Sequence, residues 1–287
     1  MTKTTDFSLG ISPCPNDTFM FYHFLHKSQF ALEDNITLNI ADVEELNQLS
    51  LTETLDFSKV SFHLYGKVRK NYIMLSAGAA LGFGCGPLLI SKDELSSEEL
   101  TGKTIAIPGE NTTAVLLLKC FLAEQKVNFK TMIFSDIMPA IQNGEVDAGL
   151  IIHESRFTYK NFDLKLIQDL GEWWESETQL PIPLGGIIAK RDQPVEKLLA
   201  IDKALKESVL YAQTTVWKDN PEFSDFVKKY AQEIDADVLD QHIKTYVNEE
   251  SAKLSQDARS AIRELFRIAE EKGLIEVSNE TLFVDEI

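Results

Sequence analysis

The sequence predicts an α/β protein of two lobes, the second inserted into the first, with a helical C-terminal part. Three observations lead there. Strand and helix signals alternate from the N-terminus onward. A polar, charged stretch, SKDELSSEELTG, interrupts that alternation and suits a surface connection between lobes. After the strand LGGIIAKRD, which carries the chain back to the first lobe, only amphipathic helix patterns follow. The expected division is 1–95 and 190–287 for a larger discontinuous lobe and 96–189 for a smaller inserted one. A ligand cleft is expected between them, where strand C-termini meet helix N-termini.

The elements read in order as follows. In DFSLGIS, Phe7, Leu9 and Ile11 alternate as a half-buried strand requires. Pro13 and Pro15 hold the next residues extended, and Asn16 or Asp17 is placed to cap a helix starting near Thr18. ITLNIADV is a strand, DVEELNQLSLTET a helix, and LDFSKVSFHLYGKVRK a short strand running into a helix. YIMLSAGAALG and GPLLISK add strands separated by glycines. KTIAIPGENTTAVLLLKCFLAEQ gives a strand, a Pro-Gly turn and an apolar helix. FKTMIFS reads as a strand, and DIMPAIQNGEV as a helix stopped at Asn143-Gly144. VDAGLIIHESRF is a strand ending in a polar cluster. From Val195, four amphipathic stretches complete the chain, and there is no internal repeat.

Composition excludes several functions. A formal charge of −17 argues against nucleic acid or an anionic membrane surface as partner. No apolar run approaches the roughly 20 residues that span a bilayer. The stretch MTKTTDFSLGIS has no signal-peptide core, so a cytoplasmic location is expected. Cys14, Cys85 and Cys120 are widely spaced and form no metal-binding pattern. His23 and His26 could share a helix face but lack a third ligand, so no metal is expected.

Four segments share one design, in which a strand ends, a short polar motif follows, and a helix or turn begins: SPCPND, SKVS, GENTTA and HESRF. In GENTTA, Thr112 and Thr113 place hydroxyls beside the N–H groups of a helix's first turn. That setting suits a carboxylate or phosphate, or is a plain cap. No Gly-Lys-Ser/Thr follows, so it is not a nucleotide-binding P-loop. In SKVS, Lys59 could neutralise an acidic substrate while the backbone of Val60 and Ser61 holds its oxygens. Taken alone, Lys59 reads more readily as a solvated surface lysine. His153 stands at the end of an apolar strand, where a general base belongs, although a lone histidine is more often structural. Glu154 and Arg156 would follow the strand's alternation if that strand continued. Trp173 and Trp174 read as core or lid packing.

SPCPNDTF, KVS, PGENTTA, GEVDAGLIIHESRFTY, LPIPLGG and HIKTYVN together resemble the 1,4-dihydroxy-6-naphthoate synthase family of the futalosine route to menaquinone, over about Phe7 to Tyr246. The resemblance implies a fold like the type II periplasmic solute-binding proteins. It implies a cofactor-free carbon–carbon lyase, converting cyclic dehypoxanthinylfutalosine to 1,4-dihydroxy-6-naphthoate and dihydroxyacetone. It puts His153 at the position of the proton acceptor. Lys59, Val60, Ser61, Thr113 and Ala114 fall at substrate-contacting positions, with Asn16 in the opening motif. The partner implied is a small acidic molecule. Two other readings stand beside it: a non-catalytic solute-binding protein for a small carboxylate, and a chorismate dehydratase, whose family lacks the SPCPNDTF opening.

Overall fold

The protein was analysed as a computed structural model that describes residues 6–33, 35–153, 155–231 and 235–287. The chain first lays down β1 (Asp6–Ile11), α1 (Pro15–Lys27), α2 (Gln29–Glu33), β2 (Asn35–Ile40), α3 (Val43–Leu51), β3 (Phe57–Ser61), α4 (Phe62–Val68), β4 (Tyr72–Met74) and β5 (Ala80–Gly82). It then builds β6 (Leu88–Ser91), β7 (Thr104–Ile107), α5 (Thr113–Leu122), β8 (Asn128–Thr131), α6 (Phe134–Gln142), β9 (Ala148–Ile151), α7 (Ser155–Thr158), β10 (Lys165–Asp169) and α8 (Leu170–Thr178). It closes with β11 (Ile182–Lys190), α9 (Val195–Thr214), α10 (Pro221–Tyr230), α11 (Ala236–Tyr246), α12 (Glu249–Ala252) and α13 (Gln256–Glu271).

These strands form two sheets, ordered β2-β1-β3-β11-β4 with β5 also on β11, and β10-β6-β9-β7-β8. β1 is parallel to β2 and β3, and β7 is parallel to β8 and β9. Helix-connected parallel strands of this kind send their C-terminal ends, and the helices that follow, to one edge of each sheet. The two edges that matter here end at Ser61 and Ile107. Every residue of β3 is buried, as expected of a strand covered on both faces.

Sheet membership draws the crossings differently from the expected 95/96 and 189/190. β6 pairs with β9 and β10, so the chain has already changed sheets by Leu88. SKDELSSEELTG therefore connects β6 to β7 within the second sheet, and its polarity reflects a surface loop inside one lobe. β11 pairs with β3, β4 and β5, so the return is complete by Ile182. The second sheet and the helices between its strands thus interrupt the first, with Gly86 at one crossing. A Cβ on Gly86 would lie 2.3 Å from the Gly171 backbone nitrogen, so only glycine lets these two segments touch.

Three local expectations change. α1 begins at Pro15 with Cys14 as its N-cap, because proline's fixed φ suits the first helical position; Asn16 and Asp17 lie inside the first turn instead of capping it. FKTMIFS is strand only to Thr131, and Phe134 opens α6, where its ring is buried in the second lobe's core. β9 stops at Ile151 and Arg156 lies in α7, so the strand alternation supposed for Glu154 and Arg156 is absent; Glu154 itself lies outside the described residues. Trp174 is buried and donates from Nε1 to Pro181 O (3.1 Å), while Trp173 meets Phe121 edge-on, so this pair packs the core.

Candidate active site

One cavity lies between the two sheets, and all four strand-end motifs reach it. Asn16, Lys59, Val60, Ser61, Thr113, Ala114 and His153 all line it. Sequence reasoning did not single out Ser12, His242 and Tyr246 as site residues, yet they line it too. On α11, Leu239, His242, Ile243 and Tyr246 share the buried face, so the available signals were a histidine on an otherwise apolar stripe and the HIKTYVN motif that contains it.

His153 follows β9 with φ +56°, a left-handed conformation that costs a non-glycine residue about 1–2 kcal/mol. Surrounding contacts hold this turn. Arg156 donates from its backbone N to His153 O (3.4 Å), and its guanidinium bonds Gly86 O (2.6 Å) and Asp169 (2.7 Å). Strained residues fixed this way concentrate at functional sites. The His153 ring meets Phe134 edge-on and has Nδ1 3.2 Å from Cys14 Sγ. The opening motif and the β9 terminus, 139 residues apart in sequence, therefore meet at one imidazole.

Lys59 is not a solvated cation. It is 5% exposed, and its Nζ lies 2.9 Å from Oδ1 of Asp17, whose carboxylate is fully buried. Asp17 also accepts from Ser12 N (3.1 Å), Ser12 Oγ (2.7 Å) and Asn16 Nδ2 (2.9 Å). The charge expected to meet an acidic substrate is thus balanced within the protein. Ser61 is also partly committed: its N donates to Asn47 Oδ1 (3.0 Å), and its hydroxyl oxygen accepts from Asn47 Nδ2 (3.2 Å), which still lets the hydroxyl proton point elsewhere.

Thr112 caps α5, its hydroxyl accepting from Val115 N, while Thr113 Oγ1 donates to Leu184 O across the cavity wall. The cap residues are therefore structural through their hydroxyls. The polar end of α5, a ten-residue helix, still faces the cavity at Thr113 and Ala114. The loop before it is joined to the first lobe. Glu44 accepts from Asn111 N (3.1 Å) and Nδ2 (2.7 Å), and Lys67 Nζ donates to Asn111 Oδ1 (2.8 Å). A Cβ on Gly109 would lie 2.5 Å from Glu44, so glycine is required for this approach.

Among the described residues no cluster of three or more His, Cys, Asp or Glu could hold a metal ion. In the same residues no helix is long and apolar enough to cross a membrane.

Two sheets enclosing a cavity lined by converging helix N-termini define the class: a protein with the architecture of periplasmic solute-binding proteins. The alkanesulfonate-binding protein of Xanthomonas axonopodis pv. citri has this fold, with a TM-score of 0.71 over 96% of each chain at 13% identity. A protein of Archaeoglobus fulgidus superposes with a TM-score of 0.86 at 35% identity, over 94% of this chain and 98% of that one. The sequence is 41% identical over 279 residues to 1,4-dihydroxy-6-naphthoate synthase of Thermus thermophilus, covering 96% of this chain and 98% of that one. It is 40% identical over 271 residues to the enzyme of the same name from Streptomyces coelicolor, covering 93% and 94%. The family model described as menaquinone biosynthesis matches residues 7–271, and the chain belongs to that family.

Proposed function

We propose that this protein is a cytoplasmic carbon–carbon lyase of the futalosine route, forming 1,4-dihydroxy-6-naphthoate and dihydroxyacetone from cyclic dehypoxanthinylfutalosine. The observation that carries the reading is the placing of His153, in a left-handed turn at a strand end, on the same cavity as Asn16, Lys59–Ser61 and Thr113–Ala114. The names of the two relatives support the same product.

In this reading His153 removes a proton from the spiro-fused substrate. The carbon–carbon bond then breaks, driven by aromatisation to the naphthalene diol, and the proton returns to the departing three-carbon fragment. The substrate is acidic, and the first-turn N–H groups of α5 at Thr113 and Ala114 hold its carboxylate or a developing oxyanion. Val60 and the Ser61 hydroxyl complete that wall. Lys59 acts by ordering Asp17 and Asn16, with its charge already paired. Asn16 orients groups deeper in the cavity. The enclosing lobes exclude water from the reactive intermediate. The chemistry calls for no cofactor, no metal and no macromolecular partner.

The test is turnover of cyclic dehypoxanthinylfutalosine by purified protein without added cofactor, followed through naphthoate absorbance or fluorescence. Product should appear with the wild type and fall by at least a hundredfold with His153→Ala. Binding without product would favour a solute-binding protein, and full activity in His153→Ala would remove the base role.

A further inference from the structure

The wall that Ser61 contributes is set by a residue outside the cavity lining. Asn47, on α3, is 0% exposed and packs where that helix meets β3. Which end of its amide is the oxygen follows from its partners. Ser61 N, a backbone N–H that can only donate, lies 3.0 Å from one end, which is therefore Oδ1. The other end, Nδ2, lies 3.2 Å from Glu44 Oε2 and 3.2 Å from Ser61 Oγ. Glu44 Oε2 also accepts from Asn111 N, again a group that can only donate. The amide therefore gives one hydrogen to Glu44 and the other to the Ser61 hydroxyl oxygen.

The backbone N–H of Ser61, expected from the sequence to hold substrate oxygens, is thus taken by Asn47. What Ser61 offers a ligand is its hydroxyl. Its oxygen already accepts from Asn47, and among the described residues no protein acceptor faces its proton. Ser61 lines the cavity, so that proton is left for an acceptor on the ligand. The Glu44 carboxylate that orients Asn47 also holds Asn111, in the loop that starts α5 on the second lobe. We infer that Asn47 is a positioning residue, fixing the Ser61 hydroxyl as a hydrogen-bond donor to a carboxylate oxygen of the substrate, in register with the start of α5. This rests on the function proposed above and states how the first lobe's half of the anion-holding wall is built. A donor held by a buried network has little freedom left to lose when the anion binds, so cutting the network weakens binding although Asn47 touches no ligand.

The experiment measures kcat and KM for cyclic dehypoxanthinylfutalosine in wild type, Ser61→Ala, Asn47→Ala and the double variant, with circular dichroism to confirm folding. A hydrogen bond to a charged group, made alike in ground and transition states, is read in KM. KM should rise about 10- to 100-fold in Ser61→Ala and about 5- to 20-fold in Asn47→Ala, with kcat within about threefold of wild type. The double variant should match Ser61→Ala within about threefold, because Asn47 then has no hydroxyl to orient; a merely structural Asn47 would multiply the two effects. Asn47→Asp covers the case in which Asn47→Ala does not fold. One carboxylate oxygen still meets Ser61 N, but the other faces Ser61 Oγ as an acceptor and draws the hydroxyl proton away from the cavity, so KM should rise as far as in Ser61→Ala. Wild-type KM in Ser61→Ala or in a folded Asn47 variant, or multiplied effects in the double variant, would each overturn the inference. If the wild type makes no naphthoate, the proposed function falls and takes this role with it. If His153→Ala is inactive while Ser61→Ala keeps the wild-type KM, only the present inference falls.

Discussion

Replacing Lys59 by methionine removes the cation from a pair whose side chains are 7% and 0% exposed. Asp17 would keep its bonds from Ser12 N, Ser12 Oγ and Asn16 Nδ2, but its buried charge would lose the one balancing partner at 2.9 Å. Breaking a buried pair from one side costs about 3–5 kcal/mol. Three surviving hydrogen bonds put this case at the lower end, about 3 kcal/mol. For a chain of this length that lowers Tm by about 6 °C or more, at about 2 °C per kcal/mol. Removing the orphaned charge as well, in Lys59→Met with Asp17→Asn, should restore at least half of the loss, since a neutral amide no longer needs a counter-ion. Thermal and urea denaturation of the three proteins measure this directly. A Lys59→Met protein as stable as wild type but with a raised KM would refute the reasoning, because it would mean that the lysine charge serves the substrate and not Asp17.

Acid sensitivity provides a further check. Burial lowers the pKa of His63 to about 3 against an ordinary 6.5, with Lys67 and Lys119 adding to the shift, and His242 is lowered similarly. Both rings are neutral when folded, and the unfolded chain takes up their protons below pH 6.5. The stability they contribute is therefore complete above pH 6.5 and lost as pH falls from there toward 3, with a slope approaching about 1.4 kcal/mol per pH unit for each ring. Urea denaturation between pH 7.5 and 5 should show His63→Asn losing stability less steeply than wild type; an equal slope would contradict this. Gly109→Ala should push Glu44 away from Asn111, lowering stability by about 1–3 kcal/mol and raising KM through the displaced start of α5. Restoring space with Glu44→Ala in the same protein should recover little, because the Asn111 bonds are gone in both. Asp56 has its carboxyl held below the usual 3.8: burial pushes it up, but hydrogen bonds from Ser8 and the nearby Lys190 outweigh that. Its contribution should be present above pH 3.8 and vanish below it, so wild type and Asp56→Asn should converge in stability as pH falls through that range.

Much of this arrangement was legible because strand-end motifs are local. The hydrophobic alternation before SPCPND, SKVS, GENTTA and HESRF placed each at an edge, and all four edges meet at the cavity. What stayed hidden depends on pairing across distance. Lys59 looks the same in sequence whether solvated or buried; its state depends on Asp17, 42 residues away. His242 is 226 residues from Asn16 and sits in an ordinary amphipathic helix pattern. The lobe crossings were misplaced because a polar run signals exposure, which a loop within one lobe satisfies as well as a linker. His153's left-handed turn leaves no composition signal, since no glycine marks it.

The pairing of Lys59 also bears on how substrate arrives. With that lysine neutralised, the carboxylate of the proposed substrate would be held at the cavity by peptide dipoles, which act over a turn of helix and hardly beyond. At longer range such an anionic substrate would meet a molecule of formal charge −17. On that reading, encounter would be slowed by repulsion, which added salt screens over distances beyond the Debye length of about 8–10 Å. The rate of productive collision should therefore rise with ionic strength while the chemical step stays level, the reverse of the salt response of an enzyme that draws in its anion with an open cationic funnel.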